Sequence, residues 1–460
     1  MNRALIDYFR CPEGLVDLAL RGDLCPGEGF FRFGPDVVCY GQSSLGYYAD
    51  TPSKATCDLA YHVRTEGTTC YIPFDPTALV ENLRRERYLG RNSNFGGEEE
   101  QTSLVRKAYS RLRPCLDVPI RRRLQRLRLR GREKTYFPSW PVDRTVDQLL
   151  EKVLALAIKA RRLERIPFIW FWPDGQKSCA ILTHEVEESA GFDSCLPLMD
   201  MADSFGIKSS FQFIPEKRDA VSRALLDRIR VRGFEASFHD LRHDGHLYDR
   251  RETGLSCICS NNEDMKECSA LEFRFGALYR RLDRCDADEL SYDMSVPNVG
   301  HLDHQGGGCC TVMPYFIGNV LELPVTTQDD TRLDMFSDDS LDLWQRESRL
   351  ITDNHGLLSF ITHPDFILED RARETYVGLL AHLSRLRRQR EVWMTLPAEV
   401  DRWWRERDSM TIVGEAGGWR IEGPGRERAR LAYACLAGDR ITYTFEPSSA
   451  ETPLALAAAA

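Results

Sequence analysis

Apolar and polar positions along the chain follow two periods, and the switches between them mark its organisation. In the first 140 residues, GFFRFGPDVVCYG (Gly29 to Gly41) holds two short apolar-aromatic runs separated by Gly34-Pro35-Asp36, the pattern of strand, turn and strand. Further on, RLRPCLDVPIRRRLQRLRLRGREK (Arg111 to Lys134) sets Ile120, Leu124 and Leu127 at helical spacing, which predicts a helix with an arginine-rich solvated face. FPSWPVD (Phe137 to Asp143) is punctuated by proline and reads as a linker. Thr145-Val-Asp-Gln148 then fits a capping box, in which the Thr and Gln side chains satisfy free backbone N–H groups. The helix it opens carries Val146, Leu149, Leu150, Val153 and Leu154 on one face.

From about residue 175 strands and helices alternate. SCAILT (Ser178 to Thr183), IKSSFQFI (Ile207 to Ile214) and FEASF (Phe234 to Phe238) read as strands. Between them lie CLPLMDMADSF (Cys195 to Phe205), closed by Gly206, and DAVSRALLDRIRVR (Asp219 to Arg232), capped by Asp219 and closed by Gly233. A βαβαβ series predicts parallel strands with right-handed crossovers. LEFRF (Leu271 to Phe275), NVLELPV (Asn319 to Val325) and LLSFIT (Leu357 to Thr362) extend the series to about residue 390. WRIEGPGRERARLAYACLAGDRITYTFE (Trp419 to Glu446) alternates with Gly/Pro turns and predicts a small antiparallel β unit, followed by a fraying tail. Three domains are expected: a mixed α/β region over 1–140, an α/β domain over 141–395 and a small β domain over 396–460.

Composition narrows the function classes. The chain has 460 residues, 42% of them hydrophobic and 28% charged, which is a globular balance. A net charge of -9 argues against nucleic acid or an anionic membrane as the partner of the whole chain. No apolar run is long enough to span a bilayer. MNRALIDYFRCPEGLVDLAL, at the start, lacks the apolar core and cleavage site of a signal peptide, so a cytoplasmic location is the expectation. The 15 cysteines are odd in number and scattered, as for reduced thiols. Neither Cys257-x-Cys259 with Cys268 nor the vicinal Cys309-Cys310 has paired zinc spacing. The sequence sets no oligomeric state.

Candidate chemistry collects where parallel α/β domains keep it, at the carboxyl ends of strands. The first strand ends in Glu185 and Glu187, the third in His239 and His243, LEFRF in Arg274, and LLSFIT in His363. Each has an ordinary reading as a loop acid, a helix-capping histidine or an ion-pair partner. Their joint occurrence at four strand ends favours a site. Two histidines and a carboxylate leave an open position on a divalent ion, as catalytic zinc requires. A further acid can take a proton from water, and another histidine can protonate a leaving group. His184 alternates to the side opposite Glu185 and is expected to be packed or hydrogen-bonded. His246, and His301 with His304 in a Gly-rich loop, are expected to lie outside the ligand set, and Glu188 has no assigned role.

Thr183-His-Glu-Val-Glu187, His239-Asp-Leu-Arg-His243, FRFG around Arg274, ELPVT (Glu322 to Thr326) and Ile361-Thr-His-Pro364 occur in an order that resembles the polysaccharide deacetylase family. The resemblance is to its NodB-like domain and covers roughly residues 170 to 390. It implies a distorted (β/α) barrel of about seven strands, flanked here by the N-terminal mixed region and the C-terminal β unit. It also implies Glu187, His239 and His243 as metal ligands, with Zn2+ as the expected ion. Glu185 falls on the catalytic base, Arg274 on the residue that orients it, and His363 on the catalytic acid. The implied function is metal-dependent removal of an acyl group, typically acetyl, from an amide or ester of a carbohydrate-like substrate. Three features depart from the family. Glu185 stands where Asp is usual, no proline follows FRFG, and Glu252 to Ala270 lacks helical periodicity. The alternative reading is a catalytically impaired or inactive ligand-binding protein on the same scaffold.

Overall fold

A computed structural model describes residues 1–89, 136–186, 189–214, 223–239, 272–274, 291–300, 307–330, 340–364, 367, 370–415 and 418–445. Near the N-terminus, helix α1 (Arg3–Phe9) precedes strand β1 (Leu18–Leu20) and the hairpin of β2 (Gly29–Arg32) and β3 (Val38–Gly41). The hairpin is the one its apolar pattern predicts, with Phe30 opposite Tyr40 and Phe31 opposite Cys39. Gly34, at φ +79°, turns the chain between the two strands. Strands β4 (Arg64–Glu66) and β5 (Thr69–Ile72) join β1 in a three-stranded sheet. Helix α2 (Pro76–Arg84) follows, its N-terminus capped by Asp75 through the Thr77 N–H.

Helix α3 (Thr145–Ala160) buries the predicted stripe of Val146, Leu149, Leu150, Val153 and Leu154 completely. Its start differs from the capping-box expectation. Thr145 is the first helical residue, and the Asp143 carboxylate accepts the Thr145 N–H at 2.8 Å. A carboxylate two residues upstream does the work expected of the hydroxyl, and its charge also suits the positive helix terminus.

The main sheet is built from β7 (Ser178–Val186), β8 (Ser210–Phe213), β9 (Glu235–His239), β10 (Glu272–Arg274), β11 (Tyr292–Asp293), β12 (Tyr315–Ile317), β13 (Val320–Glu322), β14 (Leu357–Thr362) and β15 (Val392–Met394). Strand β6 (Arg165–Ile169) precedes these and lies outside the sheet. The order is β12-β13-β11-β10-β9-β8-β7-β14, with β15 also on β7. Only the β12–β13 pair is antiparallel. The parallel α/β expectation is met. Among the described residues the sheet is open, and no pairing closes it into a ring. Helices α4 (Ser189–Ser204), α5 (Arg223–Val231), α6 (Ser340–Thr352), α7 (Asp370–Arg388) and α8 (Pro397–Ser409) complete this part.

β7 is the central element. All nine of its residues are buried, as a strand covered on both faces requires. Two antiparallel pairs follow α8: β16 (Thr411–Glu415) with β17 (Gly418–Glu422), and β18 (Leu431–Ala437) with β19 (Arg440–Phe445). β6 pairs with β18, so the C-terminal strands join a segment that precedes the main sheet. One hydrophobic core runs from Leu5 and Phe9 through Leu154 and Ile181 to Ala434. The Arg111 to Lys134 segment, the Glu252 to Ala270 segment, His246, His301 and His304 lie outside the described residues.

Candidate active site at the strand ends

The side chain of Glu185 comes to the site through the alternation of β7. His184 points to the helical side, where its ring nitrogens lie 2.7 Å from Thr362 Oγ1 and 3.0 Å from Ser209 Oγ, with Tyr376 of α7 beside it. It is fully buried, and burial, with repulsion from His363, pushes its pKa down to about 3. His184 is therefore a neutral, hydrogen-bonded packing residue, as its alternation predicts. Glu185, one position on, faces the other side of the sheet.

There Glu185 Oε2 lies 3.3 Å from His363 Nε2, and both side chains are largely buried. β14 pairs with β7 such that Thr362 is opposite His184. The residue following each therefore comes to the same level, which is how an acid and an imidazole 178 positions apart meet. His363 is held from its other side by Asp330. Asp330 Oδ1 lies 2.7 Å from Nδ1, and Oδ2 accepts the His363 backbone N–H at 2.7 Å. An ionised carboxylate only accepts, so Nδ1 carries a proton toward it and Nε2 is left to face Glu185. Burial disfavours the imidazolium, but Asp330 and Glu185 together outweigh it and raise the His363 pKa well above its ordinary value.

Asp330 is not among the residues predicted from sequence. It arrives on the segment after β13, which runs along β14. Thr326 Oγ1 donates to Leu357 O, and Thr327 Oγ1 donates to Ser359 O. Trp344 Nε1 of α6 donates to Gln328 O at 2.7 Å. The signal was two adjacent acids, Asp329 and Asp330, shortly after a predicted strand, the same kind of signal that marked Glu185 and Glu187.

Gln212 of β8 was also missed. It lies directly opposite Glu185 in the register. It is fully buried, and neither its Nε2 nor its Oε1 has a hydrogen-bond partner among the described residues. An unpaired buried amide costs roughly 1–3 kcal/mol, so such a group is rare without a reason. A polar residue at an interior position of a fully buried strand was its visible signal.

The remaining predicted residues are described in part. His239 ends β9, and Arg274 ends β10 directly opposite it in the register. Glu187 follows the last residue of β7, and with His243 it lies outside the described residues. No three His, Cys, Asp or Glu side chains among the described residues are grouped to hold a metal ion. Two backbone observations bear on whether an ion fits. Val186 of β7 pairs with Phe213 of β8, and Phe213 with Phe238 of β9. The ends of β7 and β9 are therefore about 9–10 Å apart, two strand spacings, which Glu and His side chains can bridge to a common ion. The donor set, one carboxylate and two imidazoles, suits a divalent ion of zinc type.

No protein-family model matches the chain, and no curated protein does. Solved structures do match about half of it. They include a polysaccharide deacetylase from Mycobacterium smegmatis, 16% identical with a TM-score of 0.42, covering 54% of this chain and 97% of that one. Puue allantoinase is 14% identical with a TM-score of 0.37, covering 51% and 92%. Peptidoglycan deacetylase PdaC from Bacillus subtilis is 10% identical with a TM-score of 0.33, covering 52% and 96%. No described helix is long and apolar enough to cross a membrane.

Proposed function

We propose that the chain is a metal-dependent hydrolase that removes an acyl group from an amide or ester of a carbohydrate-like substrate. The carrying observation is the buried array Glu185–His363–Asp330 at the carboxyl ends of β7 and β14. The sequence motifs of the polysaccharide deacetylase type support the same reading, including its distorted barrel. Glu187, His239 and His243 would hold the ion, Zn2+ or a similar one. When bound, it would supply a Lewis acid for the acyl oxygen and make water easier to deprotonate.

The chain's own groups divide the proton work. Glu185 would take a proton from water, and Arg274 would be the residue that orients it and keeps it ionised. His363, charged through Asp330, donates from Nε2 to the leaving nitrogen or oxygen. Among the described residues Gln212 has a free donor and a free acceptor on the same face as Glu185, so it would orient the acyl group or the attacking water. Substrate must enter between Glu185 and His363, because an acid and a base in direct contact neutralise each other.

That last point favours a second reading. One methylene more than aspartate brings Glu185 onto His363 at 3.3 Å. A resting ion pair this close suits a ligand-binding protein that has lost turnover. Acetate release from an acetylated amino-sugar oligomer, assayed with one equivalent of Zn2+, separates the two. The hydrolase reading expects release by the wild type and none by Glu185→Gln. The binding reading expects sugar binding without release, and hydrolysis gained in Glu185→Asp. Neither binding nor release from acetylated sugars or simple acyl esters would sink both.

A further inference from the structure

At the opposite end of the sheet, α1, α2 and α8 enclose a cavity of about 540 Å3 together with Tyr315 and Phe316. Its place is fixed by α8. The Ala398 N–H donates to the Glu235 carboxylate at the start of β9, and Arg405 donates to Ser291 O just before β11. The cavity therefore lies at the amino ends of the parallel strands. The candidate active site lies at their carboxyl ends.

Its lining carries an excess of positive charge, five arginines against three carboxylates. The carboxylates are already engaged. Glu81 holds Arg85 at 2.8 Å, Asp408 holds Arg10 at 3.0 Å, and Asp7 lies 3.5 Å from Arg3. Arg405 is paired with Asp401 at 2.9 Å. Arg84 and Arg407 are left without a carboxylate among the described residues, and they are the most buried of the set, at 8% and 1% exposure. Arg407 is fixed by donating to the carbonyls of Tyr8, Ile169 and Trp170. Burial, with repulsion from Arg10, outweighs the attraction of Asp408 and pushes its pKa down to about 9.

The unpaired polar atoms of the lining are donors too. Arg84 Nε and the Trp404 indole Nε1 are buried and have no hydrogen-bond partner among the described residues. The guanidinium of Arg84 sits 4.8 Å from the Tyr315 ring centroid, and that of Arg407 sits 5.0 Å from the Trp404 ring centroid. Ring faces offset part of a cation's lost hydration, but they accept no in-plane N–H. Two buried cations, one of them with an unpaired Nε, and the unpaired Trp404 N–H, walled by aromatic rings, favour an acceptor of negative charge.

We propose that this cavity binds a small molecule that presents an oxyanion, phosphate or carboxylate, on a flat apolar body. Arg84 and Arg407 carry the charge recognition, and the Trp404 N–H adds a neutral hydrogen bond. Tyr315, Phe316 and Trp404 take the ring. The volume lies within the roughly 300–1,000 Å3 of small-molecule sites. The site is independent of the hydrolase reading, since it uses none of its residues.

The test is calorimetric titration of the full chain with phenyl phosphate, benzoate and phenol. Saturable binding of one or both anions is expected, with phenol much weaker. The better of the two anions identifies the oxyanion. No binding of either anion up to about 10 mM, or phenol binding equally well, overturns the proposal. Arg84→Met should weaken anion binding at least about tenfold while leaving the Tm unchanged or higher, because it removes a buried charge that has no ion-pair contact among the described residues. Trp404→Phe keeps an aromatic face and removes the indole N–H with its five-membered ring. It should weaken binding several-fold, and it serves if Arg84→Met does not fold. Wild-type affinity in either variant that folds overturns the assignment of that residue, and wild-type affinity in both overturns the site.

Discussion

The two ends of the parallel sheet treat buried charge in opposite ways. At the carboxyl end, His363 is buried but flanked by Asp330 at 2.7 Å and Glu185 at 3.3 Å. At the amino end, Arg84 and Arg407 are buried with no carboxylate partner among the described residues. A compensated charge is held in one geometry and tuned in pKa, which suits proton transfer. An uncompensated charge is destabilising until a counter-charge arrives, which suits recognition. On the two proposals, one end is arranged to react and the other to receive.

The largest expected effect falls on the reactive end. His363→Ala should lower acyl hydrolysis by about 10²–10⁴-fold while leaving metal content unchanged. Rates close to wild type in purified His363→Ala would remove His363 from catalysis. Asp330→Asn comes next. It strips a buried imidazolium of its partner, so denaturant unfolding should show a loss of roughly 3 kcal/mol. Its pH dependence has a definite sign. The His363 pKa is raised, so the array's stabilisation is complete below the unfolded value of 6.5 and is lost as pH rises through the folded value. In Asp330→Asn that alkaline loss should shrink, with only Glu185 left to hold the charge, and the alkaline limb of kcat/KM should move to lower pH. An unmoved limb means that another group is the acid.

Removing charge from the receiving end should do the reverse. Arg84→Met is expected to unfold within about 1 kcal/mol of the wild type, or later than it. A destabilisation as large as that of Asp330→Asn would erase the contrast between the two ends. The smallest effect concerns His184, whose folded pKa of about 3 lies below its ordinary 6.5. Its contribution to stability is present above pH 6.5 and is lost as pH falls toward 3. His184→Gln should flatten that acid limb of the stability curve, measured by unfolding at several pH values. An identical acid limb would mean that other groups carry it.

Legibility in the sequence followed the range of the interactions. β7 was readable because a strand buried on both faces writes a continuous apolar run, and its charged end stands out against it. The positions of Glu185 and of His363 after β14 followed from that. Asp330 was visible only as one of two adjacent acids after a predicted strand, and its meeting with His363 was not readable. Its approach to His363 depends on Thr326, Thr327 and Trp344 fastening a loop to β14 and α6, and none of those hydrogen bonds has a local signature. Gln212 showed only as a polar residue in a buried strand. Arg84 and Arg407 carried no signal at all, because a lone arginine in a charged helix reads as solvated. Their burial needs α2 and α8, more than 300 positions apart, to share one cavity. The capping box at Thr145 failed for a local reason, since Asp143 offers a stronger acceptor to the same helix end.

The most direct test of the proposed active site needs no substrate. The full chain, loaded with Zn2+ and freed of excess ion, is analysed for metal alongside His239→Ala and Glu185→Gln. The proposal expects about one equivalent in the wild type, near zero in His239→Ala and about one in Glu185→Gln, as three protein ligands require. No bound metal in the wild type, or full metal in His239→Ala, would contradict it.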